Sequence, residues 1–491
     1  MDNRLFKSLI IISIGLLFLR LGFILTTMVI DDEAYYYIYS RHLAWGYIDH
    51  GPLIAFLIKT FTTIFGENGF GIRVGSVVLL TSLGCFLYIF GKKHFNQTTG
   101  AIMSLTVLTN VLFHTNGVVM TPDVPLVFFS FLFIIFYYMA FFHDKSWFLP
   151  AGICLGFGLL SKISALFPAL GILLFPVLMK SYRRILRQRY FYLSFVLAFI
   201  ILLPFIIWNL QNDWTFVRYQ GAHITEGGSI KTFLELWAGL GILFGPILFA
   251  ACFFLPFKVL INSKNLENKT EPAHIYFALT SVIPLIYFVT HSLFFRFELN
   301  WPAPAFLGGI LLFAIKMGEI PDKVNKKFII QIVYSIFLVL LVTVQTYFPL
   351  LPLKGKLDIT NRYHIFTSFP NELRNYLATE SKFKNYRIVA NNYQIPSMVN
   401  LYIKPELEAT CLSIGYHKTL YSFLYPDENL SGGNYLYLAT GKNFPDKLKR
   451  YFDEILLLRQ FKSIRRGKAI AKYSLWHVIN YHGKRGYTKF Q

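Results

Sequence analysis

Long apolar runs recur along roughly the first 350 positions, and that recurrence limits the fold more than any other feature of the chain. A run of about 20 apolar residues can cross a hydrocarbon core roughly 30 Å thick as a single helix. Eleven such segments are expected, near residues 8 to 30, 74 to 91, 100 to 117, 124 to 142, 147 to 161, 164 to 179, 191 to 209, 237 to 256, 273 to 290, 303 to 317 and 328 to 348. The stretch from 147 to 179 is too long for one span and carries Ser161 and Lys162 near its middle, so it divides there. With 55% hydrophobic and 18% aromatic residues among 491, an ordinary soluble domain is excluded. The chain reads as a polytopic α-helical membrane protein.

Charge supplies the orientation. A formal charge of +21 would suit nucleic acid, but the inner loops of membrane proteins already collect Lys and Arg, so no nucleic-acid partner is expected. With the N-terminus inside, the inner loops hold 17 basic residues, including Lys180, Arg183, Arg184, Arg187 and Arg189, against 7 in the outer loops. An odd number of spans then places residues 349–491 outside, in the periplasm of a bacterium, with the chain in the inner membrane. Arg4 and Lys7 precede a first apolar run that is too long for a cleaved leader and lacks a small-residue cleavage site, so an uncleaved signal anchor is expected. Cys85, Cys154, Cys252 and Cys411 make neither a disulfide framework nor a Cys-rich metal site.

The character of the chain changes after residue 348. Residues 349–491 carry 22 Lys and Arg against 10 Asp and Glu. The runs YRIVA and NYLYLA read as buried strands, and IPSMVNLYI and FPDKLKRYFDEILLLRQF as helices. Two domains follow: a membrane domain over 1–348 and a soluble periplasmic α/β domain over 349–491.

Polar chemistry gathers in the loop 31–73, against the first span. Asp31, Asp32 and Glu33 open a helix, which they either cap or equip with reactive carboxylates. Tyr35, Ile38, Tyr39, His42 and Leu43 fall on one stripe that would lie in the membrane interface, where tyrosines and Trp45 commonly form a belt. Asp49 and His50 precede a Gly-Pro break, and Asp123 sits between two prolines at the outer end of the fourth span. Lys162 lies between two apolar segments, costs about 2.5–3.5 kcal/mol at bilayer depth, and needs an anionic partner unless it snorkels. Arg20, within the first span, poses the same question. Arg218, His223, Arg296, Glu298 and Asn300 in later outer loops could bind phosphate or sugar, with Trp208, Trp214 and Trp301 as interface anchors.

Five motifs then occur in order: DEAYYYIYSRHLAWGYIDHGPLIAFL, TPDVPLVFF, GLLSKISAL, WNLQNDWTFVRYQ and ELNWPAPAF. They resemble the bacterial glycosyltransferases of family 39/83, the GT-C enzymes related to protein O-mannosyltransferases and the lipid A aminoarabinose transferase. The resemblance covers roughly residues 5 to 350, with a looser match in ANNYQIPSMVNLYI. It implies sugar transfer on the outer face of the membrane from a polyprenyl-phosphate-linked donor. Asp32, Glu33 and Asp123 match the family's acids. The family's Asp-His-Pro-Pro stands here as Asp49, His50, Gly51 and Pro52, and its Ser-Lys-Tyr-Thr-Ala as Ser161, Lys162, Ile163, Ser164 and Ala165.

The chemistry of such a transfer needs a base for the acceptor's proton and cations for the leaving phosphate. Asp32 is the expected base, with Glu33 and Asp123 orienting the acceptor or a divalent metal ion. Lys162, Arg41, Arg73 and Arg296 are candidates for the phosphate, and Asp49, His50, Arg218, Glu298 and Asn300 for substrate contacts. The expected acceptor is lipid A or another envelope molecule, docked by the basic tail. A lipid or ion transporter is the competing class, although no internal repeat of the kind transporters carry is visible.

Overall fold

The computed structural model describes residues 3–225, 227–262, 272–320, 326–353, 355–383 and 385–483. Lys264, Lys269 and Lys323, counted with the inner loops, lie outside the described residues.

The first part is helical: α1 Asn3–Thr26, α2 Asp31–Arg41, α3 Leu53–Phe65, α4 Gly69–His94, α5 Gln97–Thr109, α6 Val111–Asn116, α7 Asp123–Phe142, α8 Phe148–Ser161, α9 Leu166–Leu178 and α10 Arg189–Gln211. It continues with α11 Thr215–His223, α12 Ile230–Phe244, α13 Pro246–Asn262, α14 Pro272–Ser292, α15 Ala303–Gly318 and α16 Lys326–Tyr347. Among the described residues six helices are long and apolar enough to cross a membrane, or eight spans if each of two bent pairs counts once.

Local chemistry explains where these helices break. Lys162 is extended (φ −160°, ψ 137°) between α8 and α9, at the position where the sequence divides the segment. The segment near 237 to 256, expected as one span, is instead two helices bent by 111° at Gly245. Gly245 has φ +83°, and a Cβ there would also meet the Gln331 side chain, so this corner needs glycine. The segment near 100 to 117 likewise divides at Asn110, whose side chain caps α6 at Leu112 N–H (3.0 Å) while donating to the Phe244 carbonyl (3.2 Å).

The tail holds α17 Phe369–Thr379, α18 Gln394–Tyr402 and α19 Leu420–Leu424 around β1 Ile388–Ala390, β2 Thr410–Cys411, β3 Tyr435–Thr440, β4 Glu454–Arg465 and β5 Lys468–Ile479. The sheet order is β2-β1-β3-β5-β4, parallel around β1 and antiparallel from β3 outward. FPDKLKRYFDEILLLRQF, expected as a helix, is a short 3-10 turn followed by β4. Pairing along β5 gives its apolar residues a partner strand, and that context outweighs local helix propensity.

α2 is where the two parts meet. It packs against α3 and α18, and Tyr35, Tyr37, Ile38 and Tyr39 are buried rather than spread along a membrane interface, as the stripe suggested. One apolar cluster runs from Val29, Tyr35, Ile54 and Met120 into Phe369, Met398, Leu436 and Leu475 of the tail.

Candidate functional site

The acids of α2 have separate fates. Glu33 is fully buried and accepts Nε and Nη2 of Arg73 at 2.9 and 2.6 Å, the Ile30 N–H at 3.0 Å and the Met120 N–H at 2.8 Å. Arg73, equally buried, also donates to the carbonyls of Thr27 (3.2 Å) and Met28 (2.5 Å). Both side chains are committed to tying the end of α1 to α2, α4 and the turn before α7. Asp31 and Asp32 remain partly exposed and share one partner, Arg362, whose Nη2 donates to Asp32 at 2.6 Å and also to Asp31. Desolvation, then Asp32, raises the Asp31 carboxyl. Against the opposing effect of burial, the two acids hold the Arg362 guanidinium charged above its usual range.

Asp123 begins α7, yet its carboxylate does not cap that helix. Lys162 Nζ reaches one oxygen at 2.9 Å and Asn300 Nδ2 the other at 2.6 Å. The proline on each side fixes the direction of Asp123, while the break between α8 and α9 delivers Lys162. The lysine also lies 5.8 Å from the Trp301 ring centre.

Asp49 and His50 stand on the loop between α2 and α3. Asp49 accepts the Tyr39 hydroxyl, and Gln220 of α11 donates to its backbone carbonyl at 2.6 Å. Burial pushes the Asp49 carboxyl up to about 6 despite the Tyr39 hydrogen bond. Burial, with Lys162 and His223 adding to it, pushes His50 down to about 3, so its ring is neutral. The His50 Nδ1 atom is buried without a hydrogen-bond partner among the described residues.

Tyr36 connects these groups. Its ring meets His50 at 5.4 Å between centres, and its hydroxyl is raised first by burial and then by Asp32, Asp49, Tyr393 and Asp123. Three acids from two separate motifs therefore act on one phenol. Beside them lies a cavity of about 450 Å³, lined by Asp49, His50, Lys162, Trp301 and Glu298, with apolar walls that include Phe167 and Phe288.

The other expected residues are elsewhere. Arg41 lines a second, polar cleft of about 240 Å³ with Glu67, Lys404 and Glu408. Arg218 is exposed on α11, and Arg296 is exposed and pairs with Glu298 at 3.8 Å. Arg20 donates to the Leu108 carbonyl at 2.5 Å. For a divalent ion, the described residues offer no group of three or more His, Cys, Asp or Glu side chains. Arg362 already bridges Asp31 and Asp32.

Sequence reasoning missed the tail's contribution. Arg362 lies in a 3-10 turn over Ile359–Tyr363, Tyr393 donates to Asp32 at 3.5 Å, and the His417 ring meets Tyr219 edge-on at 5.4 Å between centres and lies tilted 6.3 Å from Tyr393. Only ANNYQIPSMVNLYI gave any signal.

Crystal structures of ArnT from Cupriavidus metallidurans, apo and bound to undecaprenyl phosphate, share this architecture with a TM-score of 0.64. The chain has the GT-C fold. The likeness holds at 13% identity over 96% of this chain and 98% of the apo ArnT chain, and over 99% and 100% for the bound form. A family model described as dolichyl-phosphate-mannose-protein mannosyltransferase matches residues 49–208. The lipid A galacturonosyltransferase RgtD of Rhizobium johnstonii is 24% identical over 290 residues, 57% of this chain and 59% of that protein. The match thus spans less than two thirds of the relative's length. The resemblance seen in the motifs holds: this GT-C chain is similar to glycosyltransferases of the lipid A-modifying type.

Proposed function

We propose that the chain is a membrane glycosyltransferase that moves a sugar from a polyprenyl-phosphate donor to an envelope acceptor, with lipid A favoured. The observation that carries this reading is the Asp123–Lys162 pair, with Lys162 lining a largely apolar cavity together with Asp49 and His50, beside the Tyr36 phenol on which Asp32, Asp49 and Asp123 all act. Apolar walls suit an isoprenoid chain, and Lys162 at their edge suits its phosphate. The undecaprenyl phosphate held by ArnT and the lipid A substrate named for RgtD supply the donor and acceptor chemistry by analogy.

In this reaction the acceptor oxygen attacks the anomeric carbon as the carbon–oxygen bond to the lipid phosphate breaks. Asp32 takes the acceptor's proton, and the leaving polyprenyl phosphate carries away the bonding electrons. Lys162 steadies the departing phosphate, while Asp123, its other oxygen held by the Asn300 amide, keeps the ammonium in place. In-line attack inverts the sugar carbon. Glu33 and Arg73 act as scaffold, and Arg41, Arg218 and Arg296 have no part in this step. The site faces the periplasm, with eleven crossings, a cytoplasmic N-terminus and the domain 349–491 outside; that orientation rests on the 17 to 7 split of basic residues.

The test is Asp32→Asn in cells, with lipid A and envelope glycans weighed by mass spectrometry. The expected result is loss of the added sugar mass at normal protein abundance. Retained modification would overturn the assignment of the base.

A further inference from the structure

α16, long and apolar enough to cross a membrane, ends at Tyr347, and large apolar side chains follow it. Phe348, Leu350, Leu351, Leu353, Leu357 and Ile359 are all exposed, Leu357 to 75% and Leu350 to 67%. A soluble surface seldom presents so many large apolar side chains together. They directly follow a helix long and apolar enough to cross a membrane, whose end belongs where hydrocarbon gives way to headgroups.

The tip of the β4–β5 hairpin sits against the same place. Arg465 is buried and fastens it there, donating to the carbonyls of Gln345 and Thr346 at the end of α16 (2.5 and 2.8 Å) and to Asp358 and Asn361 (3.1 and 2.7 Å). Arg466 lies 4.3 Å from the Phe348 ring centre. Around this anchor Lys462, Ile464, Arg466, Lys468 and Lys472 are exposed.

Lys462 stands directly opposite Lys472 in the strand register. Like charges at that spacing repel, and no described acidic side chain pairs with Lys462, Arg466, Lys468 or Lys472. Lysines do guard sheet edges against strand pairing. That role leaves unexplained the apolar residues exposed beside them. Cations around an apolar patch, fixed at the mouth of a span, match a bilayer surface bearing anionic headgroups.

We propose that Phe348, Leu350, Leu351, Leu353, Leu357 and Ile359, together with the hairpin tip, form a bilayer-seating surface, in which these apolar side chains enter the headgroup zone and Lys462, Arg466, Lys468 and Lys472 engage anionic phospholipid headgroups. Through Asn361 and Asp358 this surface is continuous with the turn that carries Arg362. Seating therefore fixes the height of the tail over the membrane beside the candidate site.

The experiment uses the full chain in nanodiscs of phosphatidylcholine, with or without phosphatidylglycerol. An environment-sensitive fluorophore is attached at Leu357→Cys in a Cys85→Ala background, and quenching by brominated acyl chains is read. Quenching should occur, deepen with phosphatidylglycerol, and lose that gain in the K462Q/R466Q/K468Q/K472Q variant or at high salt. One cation near an anionic surface is worth about a fivefold shift in occupancy, so four should exceed tenfold. Absence of quenching in both discs, or equal quenching with and without phosphatidylglycerol, overturns the proposal. A gain seen only on adding lipid A to neutral discs would also overturn it, assigning the surface to the acceptor. Salt titration of the parent protein gives the same readout should the variant not fold. None of these outcomes depends on sugar transfer.

Discussion

Asp49 is held where its charge is costly, and the consequence is a pH signature. Its folded-state value of about 6 lies above the usual 3.8, so the fold favours the protonated acid. This contribution to stability is complete below about pH 4 and is lost as pH rises through about 6, an effect on the order of 3 kcal/mol at most. Asp49→Asn, which keeps an acceptor for the Tyr39 hydroxyl, should flatten the melting temperature against pH across that window. An unchanged profile would show that another group titrates. Glu33→Gln should behave differently, because it strands the buried Arg73 charge at a cost of roughly 3–5 kcal/mol. The expected result is a large fall in folded protein and melting temperature, with transfer per folded molecule nearly retained. Asp123 and Lys162 were legible because a lone charge in an apolar run demands a partner. Arg362 was not, because its carboxylates lie 331 and 330 residues away and nothing local marks it.

At the scale of elements, the loop from α2 to α3 is pressed onto the end of α8. A Cβ at Gly51 would come within 1.9 Å of the Leu160 carbonyl oxygen, two residues before Lys162. Gly51→Ala should therefore lower stability by about 1–3 kcal/mol and shift Lys162 away from Asp123, weakening binding of polyprenyl phosphate measured on the purified protein. Normal binding would mean that the loop tolerates the displacement. Hydropathy located the helices well, since each apolar segment must be helical to satisfy its backbone in lipid. It could not foresee the corner at Gly245 or the strand β4. Those depend on a neighbouring side chain and on a partner strand, which hydropathy does not encode.

At the scale of the molecule, the membrane part and the tail share one core. Severing the chain after residue 348 would expose Tyr35, Tyr39, Ile54 and Met120, which pack in a cluster continuous with the tail. The fragment 1–348 should fail to accumulate, as judged by abundance and protease resistance; a stable fragment would contradict a shared core. Composition announced a second region after residue 348 but could not tell that it closes over α2, because the contacts join distant stretches of chain. The clamp of Arg362 on Asp31 and Asp32 adds an order of events. The ribosome releases the acids early and the arginine late, so a half-made chain already threaded into the bilayer holds an unfinished pocket. Any sugar-transfer chemistry there must wait until Arg362 has been made and has reached the two acids.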